Sequence, residues 1–313
     1  MNKKAITKAD NKAIVTRDFV NQWLQHEAMR GQSDRTLETY RRGFDRFGQW
    51  LVENEITNPA AADIAQFKAD LSGRYAVQSV NVTLSSVKSF YRYLVTIGAT
   101  SNNPAADVPG VKRSKSRRHK RSALTAAEVR AVLDKPNLSS IGGIRDLAII
   151  VLMAYCGLRT CEVNRLNLDD LGTEADRMVL YVQGKGHTEA DATAVIPRDQ
   201  ERTIRAWIVE RRRLGERSKA LFVSLSPRTK GGRLSTRSIR AIVTGYYKKA
   251  GVTNGNKTTH SLRHTAITQV IRKGATLMQA QALARHENPN TTTGYIHEVN
   301  RIENPPEDLI HYE

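Results

Sequence analysis

The sequence predicts a mainly α protein with a small antiparallel β-sheet, in two folded halves joined by a basic linker. Three observations carry this. Apolar residues recur at helical spacing through the N-terminal third. Three short β-rich runs lie close together between Leu168 and Ile196. Between the halves, residues 109–122 (PGVKRSKSRRHKRS) hold seven basic and no acidic side chains. That stretch opens on Pro-Gly and has almost no apolar content, so it reads as an interdomain linker. A chain of 313 residues, 40% apolar and 26% charged, is long enough for two cores.

In the first half, Phe19, Val20, Trp23 and Leu24 form one helical stripe. Leu37, Tyr40, Phe44, Phe47, Trp50 and Leu51 form a second, and Val80, Leu84, Val87, Phe90, Tyr91 and Leu94 a third. Ser33 and Thr36 sit where a helix would start and Gly98 where one would stop, which predicts four or five short helices. The second half opens with a capping-box pair, Thr125 and Glu128. A buried helix is expected over 145–155, broken by Gly157, then a short helix over 160–166. Strands are expected over 168–171, 178–183 and 193–196, the last two joined by a polar hairpin loop. Helices are expected again over 199–215, 235–250 and 261–273, the last stopped by Gly274.

Charge narrows the partners. The formal net charge is +18 and the pI about 10.1. Lys and Arg displace condensed counterions from nucleic acid, so a polyanion is the expected partner. An acidic membrane surface is the competing partner, but no basic amphipathic helix with a Trp or Phe face supports it. The longest apolar run, 147–158, is too short to cross a bilayer. The N-terminal MNKKAITKADNK lacks the apolar core of a signal peptide. With only Cys156 and Cys161, and no C-x-x-C, a reduced cytoplasm close to the nucleoid is the expected location.

The chemistry lies in a scatter of side chains. Arg159 follows the helix-breaking Gly157, and Glu162, three residues on, can orient its guanidinium. Lys185 sits in Gly184-Lys185-Gly186, where glycines let a loop approach a backbone closely. In His260-Ser261-Leu262-Arg263-His264, positions 260, 263 and 264 share a helix face, with Leu262, Ala266 and Val270 roughly opposite. A basic stripe facing a cleft and a buried apolar stripe are expected. Thr258 and Thr259 mark the helix start, where free N–H groups favour a phosphate. His260 and His264 also have the spacing of a zinc pair, but no glutamate lies between them and Arg263 does. His286 and Tyr295 complete the set, nine residues apart.

Together these motifs resemble the tyrosine recombinase (phage integrase) family, with Xer-like and mobile-element recombinases most similar in layout. The stretch around Arg159 is similar to the family's Gly-Leu-Arg-x-x-Glu, and Lys185 to its hairpin lysine. His260, Arg263 and His264 match His-x-Leu-Arg-His, and His286 and Tyr295 match the closing motif. Three departures stand out. Arg285 occupies the place where the family usually has glycine, Gly294 precedes the tyrosine where a bulkier residue is common, and the Lys185 hairpin is longer than usual.

The resemblance implies a helical core-binding (SAM-like) domain over 1–108, a linker over 109–122, a catalytic domain over 123–295 and a subunit-docking tail over 296–313. It implies a site-specific recombinase that cuts and rejoins DNA through a 3′-phosphotyrosyl bond and a Holliday junction, for integration, excision or resolution. Tyr295 would attack, Arg159, Arg263 and His286 would hold the nonbridging oxygens, Lys185 would protonate the leaving oxygen and His260 would assist. Glu162 and His264 would support them. No metal or other cofactor is implied, because cationic side chains do that electrostatic work. The implied partners are duplex DNA with an inverted-repeat core site and three further copies of the chain, as a homotetramer on two sites, with no membrane. Lys112, Arg113, Lys115, Arg117, Arg118, Lys120 and Arg121 of the linker are expected to track the DNA backbone. The alternatives are a monomeric type IB topoisomerase and a catalytically inert architectural DNA-binding protein. The apolar Leu309, Ile310 and Tyr312 after Pro305-Pro306 favour the subunit-docking reading over the first.

Overall fold

A computed structural model of the chain describes residues 17–112, 123–184, 189–215, 218–253 and 257–303, and residues 305, 308 and 310. Lys185 and the linker side chains from Arg113 to Arg121 lie outside the described residues, as do Leu309 and Tyr312. Lys112 is described and exposed. The chain divides into two compact units, Met1–Lys115 and Ser116–Glu313.

Among the described residues, the first unit is four helices: α1 (Arg17–Met29), α2 (Asp34–Glu53), α3 (Ala61–Arg74) and α4 (Val77–Thr96). Ser33 caps α2 by accepting from the Thr36 N–H at 3.3 Å. Two of the helices are long, since α2 and α4 have 20 residues each. Their apolar stripes meet around Trp23, whose ring stacks on Tyr40 and meets Phe90 edge-on at 5.6 Å. Its Nε1 donates to Ser89 Oγ at 3.2 Å, and that hydroxyl donates to the buried Glu27 at 2.9 Å. Gly43 lets α2 and α4 approach closely, because a Cβ there would collide with Ser86. α3 has no stripe among those read from the sequence, yet Ile64, Phe67 and Leu71 bury in the same core.

The second unit begins with α5 (Ala126–Leu133), closed by the Thr125–Glu128 capping box. α6 (Ile141–Tyr155) is buried on every side from Ala148 to Met153, and α7 (Thr160–Arg165) follows the Gly157 bend. Then come β1 (Leu171–Glu174), β2 (Arg177–Val182) and β3 (Ala192–Val195), an antiparallel sheet in that order. Leu171 faces Leu180 across one ladder and Val182 faces Ala192 across the other. The first strand starts later than the β-rich run suggests. Residues 168–170 form a 3-10 turn instead, because Asp170 accepts the Asn167 N–H at 2.7 Å. The β1–β2 turn places Ala175 and Asp176 at φ 45° and 57°, a twist suited to a tight hairpin.

α8 (Arg198–Arg213), α9 (Thr236–Lys249) and α10 (Thr259–Arg272) match the expected helices to within a few residues. Two more, α11 (Leu277–Ala284) and α12 (Pro289–Glu303), were not legible in the sequence. α11 buries only small side chains, Ala280 and Ala284, and α12 opens with Pro-Asn-Thr-Thr-Thr-Gly, a weak helix former. α12 runs on without a break past Tyr295, the expected end of the catalytic domain. α10 packs on α6, α11 and α12, and Ile267, Ile271, Ala280, Ala284 and Val299 form a small second core there. Among the described residues, no helix is long and apolar enough to cross a membrane.

Candidate active site

The site forms where α6 ends, α7 begins, α10 passes and the α11–α12 turn closes over them. Gly157, at φ +61°, turns the chain out of α6, and a Cβ there would lie 3.2 Å from Leu283. Arg159 is the N-cap of α7, and Glu162 sits one turn in. The Glu162 carboxylate accepts from the Arg159 backbone N–H at 2.7 Å and from its Nη1 at 2.5 Å. One residue therefore fixes both ends of Arg159.

Two further guanidinium groups converge on the same carboxylate. Arg285 Nη2 lies 3.1 Å from Glu162 Oε2, and Arg263 Nη1 lies 3.9 Å from it. Glu162 is fully buried and Arg263 and Arg285 nearly so, with side chains 6% and 7% exposed, while Arg159 keeps 21%. Burial by itself would raise the Glu162 pKa. The charge of Arg285, the Arg159 N–H and the other two guanidinium groups outweigh it and hold the carboxyl below its ordinary range. Three cations thus share one anion, leaving a positive excess in a nearly dry site. Such an excess is costly unless an anionic ligand completes it.

Arg263 donates from Nη1 to Gly157 O at 2.6 Å and from Nη2 to Ala284 O. Burial, then the charge of Arg159, pulls its pKa down to about 9, so it stays a cation at neutral pH. His286 stands in the turn after α11, its Nδ1 2.8 Å from the hydroxyl of the fully buried Thr292. Burial, then the charges of Arg263, Arg159 and Arg285, pushes the His286 pKa down to about 4. The imidazole is therefore neutral at pH 7.

Tyr295 lies on α12, half-buried against the small core around Ile267 and Ile271. Its ring centre is 4.8 Å from that of His264 and 6.2 Å from that of His286. His264 Nδ1 is 3.2 Å from Thr268 Oγ1. His260 is half-buried in the first turn of α10. The helix does not have one basic and one apolar face as its pattern suggests. Arg263 and His264 are buried along with Leu262, Ala266 and Ile267, because α10 packs against four helices, α6, α9, α11 and α12. Among the described residues, no group of three His, Cys, Asp or Glu side chains could hold a metal ion.

Arg159, Glu162, Arg263, His264, His286 and Tyr295 are thus brought to one place. The loop bearing Lys185 is described only at its stem, where Gly184 O accepts from Arg165 at 2.7 Å and Gly184 N–H donates to Asp191 at 2.7 Å. Two participants have no role in the motif reading of the site: Arg285, marked there only as a departure, and Thr292, which lies in the closing motif between His286 and Tyr295. An arginine in a glycine's place is the one sequence signal that marks the first.

Residues 122–301 match the family model described as the phage integrase family, and residues 20–98 match its N-terminal SAM-like domain. The tyrosine recombinase XerC of Mannheimia succiniciproducens is 30% identical over 272 residues, covering 85% of this chain and 87% of the relative. The tyrosine recombinase XerD of Lacticaseibacillus casei is 30% identical over 276 residues, covering 87% and 90%. Among solved structures, the fold is similar to that of the XerH recombinase bound to palindromic difH DNA in a post-cleavage complex. The TM-score is 0.74 at 18% identity, over 96% of this chain and 90% of that one. A lambda integrase tetramer bound to a Holliday junction gives a TM-score of 0.68 at 18% identity, over 94% and 81%.

Proposed function

The chain belongs to the phage integrase family and is a tyrosine site-specific recombinase, and on that premise we propose that Tyr295 is its nucleophile and duplex DNA its substrate. The Tyr295 oxygen attacks the scissile phosphorus, the P–O5′ bond breaks, and the 3′-phosphate stays on the tyrosine. The departing 5′-oxygen takes its proton from Lys185. Attack by a 5′-hydroxyl of a second strand then reverses the step and passes through a Holliday junction, with no energy source beyond the retained phosphoester. Supporting this reading is the positive excess around Glu162, which matches the charge that builds on the nonbridging oxygens in the transition state.

Arg159 and Arg263 supply cationic donors to those oxygens. His286 supplies a neutral one: if Thr292 donates to Nδ1, the Nε2–H is left for the phosphate. His260 assists proton transfer at Tyr295, and His264 supports the ring against which it lies. Four copies act on two inverted-repeat core sites, gripped by the residue 1–108 and 123–295 domains, with the basic linker on the backbone and the tail on a neighbouring copy. The assemblies of XerH and lambda integrase with DNA support this arrangement by analogy of fold.

A nicked suicide duplex carrying the cognate site should trap wild-type protein as a covalent adduct on a denaturing gel. Tyr295→Phe should bind the same duplex and form none. Trapping of the phenylalanine variant would remove Tyr295 as the nucleophile.

A further inference from the structure

Arg285 caps α11 at φ 50°, ψ 50°, the left-handed region that favours glycine. A non-glycine residue there is strained and persists where its surroundings hold it. What holds it is its own guanidinium. Nη1 donates to Cys156 O at 3.1 Å and to Leu283 O at 2.9 Å. Nη2 donates to Gly157 O at 3.0 Å and to Glu162 Oε2 at 3.1 Å. Its backbone carbonyl lies 3.5 Å from Arg159 Nη2. One side chain therefore ties together the end of α6, the first turn of α7, the end of α11 and the turn that carries His286.

The donor count limits what this arginine can do. Its two terminal nitrogens carry four N–H groups, and four protein acceptors take them. Nε is buried away from solvent and has no hydrogen-bond partner among the described residues. No N–H is left at the tip for a phosphate.

We propose that Arg285 is a positioning residue that fastens the His286 turn to Glu162 and the α6–α7 bend, and so sets where Arg159 and His286 meet the scissile phosphate. The proposal rests on the recombinase reading of the site. Arg285 acts through two others. It holds Oε2 of the Glu162 carboxylate, the oxygen that accepts the Arg159 backbone N–H, while Oε1 takes the Arg159 guanidinium. Beside His286, whose ring is kept neutral first by burial and then by the charges of Arg263 and Arg159, it adds a further positive charge in the same direction. The other charged and titratable groups around His286 are Glu162 on α7, Arg159 at its start, Arg263 on α10 and Tyr295 on α12.

Two variants of the full chain test this, Arg285→Gly and Arg285→Lys. Glycine relieves the left-handed backbone but removes fork and charge. Lysine keeps the charge but cannot span the four acceptors. Both should bind the site as wild type does. Adduct formation on the suicide duplex should slow about 10- to 100-fold for Arg285→Gly, as expected of a small misplacement of catalytic groups, and by less for Arg285→Lys. The His286 titration midpoint, followed by NMR in the free protein, should rise in Arg285→Gly and stay low in Arg285→Lys. Wild-type cleavage by either variant overturns the proposal, and so does an unmoved midpoint in Arg285→Gly. Rescue of Arg285→Gly by a methylphosphonate at the scissile position also overturns it, since that places Arg285 on the phosphate itself. If Arg285→Gly does not fold, the rate of Arg285→Lys decides. If wild type forms no adduct, the recombinase reading fails instead, while the titration still tests the fastening.

Discussion

Glu162→Gln is the sharpest perturbation the site offers, because it removes one charge and almost no volume. In the wild-type protein the carboxylate accepts from the Arg159 backbone, from Arg159 Nη1 and from Arg285 Nη2, with Arg263 Nη1 at 3.9 Å. Glutamine keeps one acceptor oxygen and turns an NH2 toward a guanidinium. Two buried cations and the partly exposed Arg159 are then left without an anion. Removing one partner of a buried ion cluster costs roughly 3–5 kcal/mol. For a unit of this size each kcal/mol lowers Tm by roughly 2–4 °C, so the catalytic-unit transition should fall by about 6–20 °C. Scanning calorimetry of the full chain measures this. Inorganic phosphate should restore more of the loss in the variant than it adds to wild type, because it replaces the missing negative charge. A shift of one or two degrees, or equal phosphate stabilisation of both proteins, would refute the view that Glu162 neutralises this cluster.

Three other outcomes are expected. Lys185→Ala should cleave slowly yet recover on a duplex with a 5′-bridging sulfur, which leaves without a proton; failure to recover, while wild type cleaves that duplex, would remove Lys185 as the acid. Replacing four of the seven basic linker residues by Gln should flatten the log–log salt dependence of binding by about 3 to 4 units, and an unchanged slope would show that they do not meet phosphates. Stability should fall as pH drops below 6.5, because the unfolded chain protonates His286 there while the folded site holds it neutral down to about 4. Protonation of Glu162, whose folded pKa lies below 4.5, adds a further loss under that value. Urea titrations from pH 7 to 4 check this, and a profile as flat as that of His286→Gln would contradict it.

Much of this was legible in the sequence, because it is set by neighbours along the chain. The stripes through Phe44, Phe47 and Leu51 and through Val80, Leu84 and Val87 depend on helical period alone, and each helix is buried along that stripe. The Thr125–Glu128 box and the Arg159–Glu162 pair are local contacts three residues apart. The order of motifs identified the family, and the basic excess pointed to a polyanion. α11 and α12 were not legible, since burying Ala280 and Ala284 leaves no strong period.

What only the tertiary structure decided is the company each charged group keeps. Arg159, Arg263 and Arg285 come from distant parts of the chain, yet all reach one carboxylate. Burial and their convergence keep His286 neutral, and the same convergence holds Glu162 ionised against its burial. The same folding turned Arg285 from an odd residue in a glycine's place into a strut with four acceptors. A pKa depends on desolvation and on charges within a few ångströms. Those distances are fixed only when α6, α7, α10 and the α11–α12 turn pack together.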